Sequence, residues 1–160
     1  MAIPQRTATQ GTFFITTITN NRRRIFQVPR NANLFLETLQ RYRSEGAYRL
    51  HAFVVMPDHV HLLLTTQNQT ISRVMNLIKG SFSRRLGAKF PIWQRGFADH
   101  LVLTRAEFET RRTYIHQNPV RAQLVMQANQ YLYSSAYRAP ENRNHDLPTG
   151  TFSRVPTSRF

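Results

Sequence analysis

The residues Met56-Pro57-Asp58-His59-Val60-His61 stand between two apolar runs, Ala52-Phe53-Val54-Val55 and Leu62-Leu63-Leu64. Pro and Asp favour turns, so the stretch folds back on itself as an antiparallel hairpin with strands over Tyr48–Val55 and Val60–Thr66. Alternation along a strand sends His59 and His61 to one face and Val60 to the other. Two imidazoles then share one small volume, which is a metal-site geometry. Taken alone, the pair is more often a set of satisfied polar side chains beside a turn.

A hairpin with one buried face needs partners, and the flanking sequence supplies them. Gly11 to Thr19 is dense in β-branched and aromatic residues and reads as a first strand. After Pro29, Leu34, Phe35, Leu39 and Tyr42 recur at helical spacing, and Gly46 closes that helix. Beyond the hairpin, Thr70 starts a second helix whose stripe is Ile71, Val74, Met75, Ile78, Phe82 and Leu86, ending at Gly87. Phe97 to Leu103 is a short fourth strand. Thr104-Arg105-Ala106-Glu107 then matches a capping box, so a third helix begins near Arg105, and Pro119 sets its end at Asn118. The order β-α-β-β-α-β plus a helix predicts an α+β, ferredoxin-like antiparallel sheet with helices on one face and a following tyrosine-bearing helix. Trp93 is expected to cover the core edge.

A chain of 160 residues with 41% hydrophobic content fits one domain. Its charge is unusual: 22 Lys+Arg against 8 Asp+Glu give a net +14, and the only lysines are Lys79 and Lys89. Guanidinium groups bind phosphate bidentately and stack on bases, which favours a nucleic-acid partner. The candidates are Arg22, Arg23 and Arg24 after the first strand, Arg84 and Arg85 on the second helix, and Arg95, Arg111 and Arg121. No apolar run approaches the ~20 residues of a spanning helix, so no membrane partner is expected. Cysteine is absent, which removes thiolate zinc sites. Met1 to Gln5 lack an apolar signal core, from which a cytoplasmic, nucleoid-associated protein is expected.

On the third helix, Tyr114 and Asn118 lie four apart and share a face with Glu107 and Arg111, about a quarter turn from the Phe108/Ile115 stripe. A tyrosine at such a border is on its own a packing residue with a wet hydroxyl.

Together the pieces resemble a known family. Leu50 to Leu64, Trp93-Gln94-Arg95-Gly96-Phe97 and Tyr114-Ile115-His116-Gln117-Asn118-Pro119-Val120-Arg121-Ala122 are similar to the single-tyrosine HUH transposases (IS200-like), nearest the REP-associated tyrosine transposases. The likeness runs from about Thr12 to Tyr137. It implies a nuclease that nicks hairpin-forming single-stranded DNA, using a divalent metal, Mg²⁺ or Mn²⁺, and one tyrosine. By position, His59 and His61 become the metal pair, Asn118 a further ligand, and Tyr114 the nucleophile that takes the 5′ end. Two departures stand out: Asp58 where the family often has Asn, and Gln123 where it often has Gly. The resemblance leaves a homodimer open.

A rolling-circle-type HUH nickase, a metal-dependent hydrolase and a non-catalytic single-strand-binding module are the alternatives. The first lacks support in the tyrosine's position before Asn-Pro, and the last leaves the His/His/Tyr/Asn set unexplained. Residues 1–137 read as the transposase/nuclease domain. Residues 138–160 turn to Pro, Asn, Arg, Ser and Thr and read as a basic, largely irregular tail lying over the active site. Tyr131, Tyr133 and Tyr137 are expected to pack.

Overall fold

The structure is a computed structural model that describes residues 9–139. In chain order it holds β1 (Gly11–Ile18), α1 (Pro29–Ser44), β2 (Tyr48–Val55), β3 (His59–Thr66), α2 (Ile71–Leu86), β4 (Ala98–Leu101) and α3 (Arg105–Arg121). The four strands make one antiparallel sheet in the order β2-β3-β1-β4, the ferredoxin-like arrangement. Most of the expected tail lies outside the described residues. No helix among those described is long and apolar enough to cross a membrane.

Pleating divides the sheet between two cores. Phe13 and Ile15 of β1 and Val60, Leu62 and Leu64 of β3 point to α1 and α2, where Phe35, Leu39, Ile78 and Phe82 complete the larger core. Trp93 seals its edge, within 5.7–5.9 Å of the Phe26, Phe35 and Phe82 rings. Phe14 and Leu63 point the other way, where Phe108 and Ile115 of α3 pack on them with Ala52, Val54 and Met56. In β2, Leu50 and Ala52 have the same parity yet serve opposite cores, because the ladder shifts register between them at His51. That bulge turns the strand over.

The helix ends follow local chemistry. Thr70 accepts from Arg73 N, and Thr104 from Glu107 N. Gly46, at φ 80, closes α1 with Ala47 N bonded to Tyr42 O. Two boundaries differ from expectation. β4 is shorter than Phe97–Leu103 because the chain leaves the ladder after Val102 N bonds Thr12 O and turns into the Thr104 cap. α3 continues through Pro119 to Arg121. The buried Pro119 lies in the last turn, where lost helical bonds are few, and Leu124 N→Pro119 O with Gln123 N→Val120 O closes the end.

After α3 the chain returns along the free edge of β2. Val55 N bonds Tyr133 O, Ser134 bridges Val54, and the Ser135 hydroxyl meets Phe53 N and the His116 ring. Tyr131 donates to Val55 O at 2.8 Å, so the expected packing of Tyr131 and Tyr133 holds, and this strap ties α3 to the sheet.

Candidate active site

The β1–β3 register sets Thr16 opposite His61 and Ile18 opposite His59. The two imidazoles face α3 with ring centroids 4.8 Å apart. Each ring is held through Nδ1: His61 by the Thr16 hydroxyl at 2.8 Å, His59 by the Asp58 carboxylate at 2.6 Å. In that arrangement Nε2 is the nitrogen each ring leaves for a ligand. His61 also stacks on Phe14 at 5.5 Å. Burial, with the neighbouring His59 adding to it and a backbone contact at Ile15 opposing, pushes His61 down to about 3, so it is neutral at physiological pH.

The Asp58 carboxylate faces the His59 ring. Partial burial pulls its carboxyl up, but hydrogen bonds and charge from His59 and Arg22 outweigh that and hold it below the usual range. Its second oxygen meets Arg22 at 3.4 Å. The carboxylate therefore orients His59 and docks the loop that follows β1.

Phe108 and Ile115 fix the rotation of α3 on the sheet, and that rotation brings Tyr114 over the histidines. Its ring is 5.4 Å from His61 and 5.8 Å from Phe14, and the side chain is 37% exposed. Arg121 lies 5.3 Å from the Tyr114 ring and Arg111 4.9 Å from that of Phe14. Asn118 follows one turn later on α3, half-buried. Glu107 is used elsewhere: its carboxylate holds the His100 ring and Leu103 N, a pairing that joins β4 to the start of α3.

The remaining arginines divide. Arg23, Arg24 and Arg95 lie on the loops at the His59 end of the sheet, where Thr19 N bonds Asp58 O and Asn20 N bonds Ile92 O. Arg84 and Arg85 belong to α2 on the other layer, and Arg85 pairs with Glu37 and Thr38 of α1. The structure thus gathers Arg22, Arg111 and Arg121 around the histidine–tyrosine group and leaves Arg84 and Arg85 apart. Among the described residues no group of three or more His, Cys, Asp or Glu stands ready for a metal; the paired donors are the two imidazoles, and Asn118 lies one turn beyond Tyr114 on α3. Thr16 and Phe14 were not singled out from sequence. The signal for Thr16 lay in strand register, which a single sequence specifies poorly.

The family described as "Transposase IS200 like" matches residues 7–118. The REP-associated tyrosine transposase of Escherichia coli K12 is 26% identical over 130 residues, spanning 80% of this chain and 78% of that one. A solved structure of a REP-associated tyrosine transposase bound to a REP hairpin matches with a TM-score of 0.71 at 26% identity, covering 78% of this chain and 76% of that chain. A crystal structure from Deinococcus radiodurans, at 21% identity and a TM-score of 0.51, covers 87% of this chain and 100% of that one and speaks to the fold alone. The family match spans the whole sheet, both histidines of the pair and the tyrosine helix as far as Asn118, and this chain belongs to the IS200-like transposases, a family of DNA-cleaving enzymes.

Proposed function

We propose that this protein binds hairpin-forming single-stranded DNA and cleaves and rejoins it through a covalent 5′-phosphotyrosine on Tyr114, with a divalent metal held by His59, His61 and Asn118. One observation carries the reading: Tyr114 stands 5.4 Å from His61, which is 4.8 Å from His59, all on one face of the sheet. The hairpin-bound relative and the net charge of +14 support the substrate class.

The donor set fits the metal. Two imidazoles fixed through Nδ1, one kept neutral by burial, plus an amide oxygen suit Mg²⁺ or Mn²⁺, and the histidines tilt the preference toward Mn²⁺. Bound there, the ion supplies Lewis-acid neutralisation of phosphate charge. The protein's own residues do the rest. The Tyr114 oxygen forms a bond to phosphorus as the bond to the 3′ oxygen breaks, the phenolic proton is lost, and the departing strand ends in a 3′-hydroxyl. The phosphotyrosine conserves the bond, so a 3′-hydroxyl can reverse the step onto a new partner. Arg111 and Arg121 add positive charge beside the tyrosine.

Incubation with labelled single-stranded hairpin DNA and Mn²⁺ tests this. The wild-type protein yields a denaturation-resistant protein–DNA adduct, and Tyr114→Phe yields none. Cleavage that persists in Tyr114→Phe would overturn the nucleophile assignment in favour of hydrolysis.

A further inference from the structure

We propose that Phe90 and Arg23 form a stacking site for one unpaired base in the single strand flanking the hairpin, separate from the tyrosine centre. This rests on the DNA substrate proposed above but not on the chemistry at Tyr114. Among the described residues the large aromatic side chains left exposed are Tyr114 and Phe90, the latter at 41%. The Arg23 guanidinium lies 4.4 Å from the Phe90 centroid, and among the described residues Arg23 pairs with no carboxylate. A planar cation stacked on an exposed ring offers a π surface and a positive charge together, which is what an unpaired nucleotide takes up.

The loop that carries Phe90 is held on both sides. Ile92 is buried, Trp93 fills the aromatic cluster and donates to Lys79 O, and the Lys79 ammonium grips Gln94 O and Gly96 O. Asn20 N→Ile92 O joins this loop to the one bearing Arg23. Phe90 adds nothing to the core, which Phe26, Phe35, Phe82 and Trp93 already complete. Such fixing lowers the ordering cost when a base arrives.

The backbone before Arg23 is strained. Asn21 (φ 54) and Arg22 (φ 50) both lie in the left-handed region, which costs a non-glycine residue. The bend turns Arg22 to Asp58 and lays Arg23 on Phe90. Strain of this kind persists where surrounding structure holds it, and it gathers at ligand sites. Asp58 in turn bonds His59, so the loop that bears Arg23 is tied to the histidine strand. Stacking tolerates any base, so the site contributes affinity and register and leaves sequence readout to other contacts.

The probe is a hairpin oligonucleotide with single-stranded flanks of roughly four nucleotides on each side, in which 2-aminopurine is moved one position at a time. Wild-type protein quenches the fluorescence at one flank position. Phe90→Ala loses that quench and binds roughly tenfold more weakly, Phe90→Trp restores both, and Arg23→Gln falls between. An oligonucleotide abasic at that position binds wild-type and Phe90→Ala alike. Unchanged binding and quenching in Phe90→Ala, or an equal loss on the abasic probe, would overturn the site. Adduct formation by wild-type protein on the same oligonucleotide reports on the tyrosine separately: a Phe90-dependent quench without adduct keeps this site and sinks the strand-transfer reading, and adduct without such a quench does the reverse.

Discussion

Asp58 and Gln123 are the two positions at which this chain departs from the pattern it resembles, and each has a physical role. Asp58 accepts from His59 Nδ1 and pairs with Arg22. Orienting partners of this kind are worth 10- to 100-fold in metal affinity, so Asp58→Ala is expected to weaken Mn²⁺ binding by about that factor in a calorimetric titration. Unchanged affinity would reduce Asp58 to a turn residue. Gln123 has φ 58 and sits just past α3, with Leu124 N→Pro119 O and Gln123 N→Val120 O around it. This left-handed cap is where Gly avoids a clash that a side chain incurs. Gln123→Gly is expected to stabilise the protein by up to about 1 kcal/mol, less whatever Gly loses through unfolded-chain entropy, seen as a melting point a few degrees higher.

At the scale of the element, α3 depends on the strap behind it. The Ser135 hydroxyl meets Phe53 N, Phe53 O and the His116 ring, so one small side chain joins strap, β2 and the tyrosine helix. Ser135→Ala removes the hydroxyl that links the strap, β2 and the His116 ring and is expected to cost about 1–3 kcal/mol in urea unfolding. The strap could not be inferred from sequence, because its partners lie 82 positions away in β2. What was legible was local: the caps at Thr70, Thr104 and Gly46 act within one turn, and the alternation of His59, Val60 and His61 needs only a strand. The bulge at His51 and the run through Pro119 were not legible, since tertiary packing decides both. At the site, the tyrosine helix face could be counted from residue spacing. That its partners would be Phe14 and Thr16 depended on register.

Taken whole, the molecule buries neutral histidines and is therefore sensitive to acid. Burial pushes His51 and His116 from 6.5 down to about 4, helped by Arg49 for the first and by Arg112 and Arg138 for the second. The unfolded chain binds these protons at a higher pH than the folded one does, so stability is full above about 6.5 and falls as pH drops toward 4. Urea midpoints measured at pH 7.5 and 5 should show this loss, and His116→Gln should flatten part of it. A midpoint that rises on acidification would contradict the assignment.

The same sheet presents Phe13, Ile15 and Leu62 to one layer and Phe14, His61 and Leu63 to the other. Neighbours in sequence thus answer to different demands. Substitutions around Phe35 and Phe82 are expected to alter only how durable the fold is, while those around Phe14 are expected to touch both the smaller core and the proposed site. The helix-covered layer can therefore be repacked without touching the proposed site, whereas the other layer must satisfy packing and site geometry together.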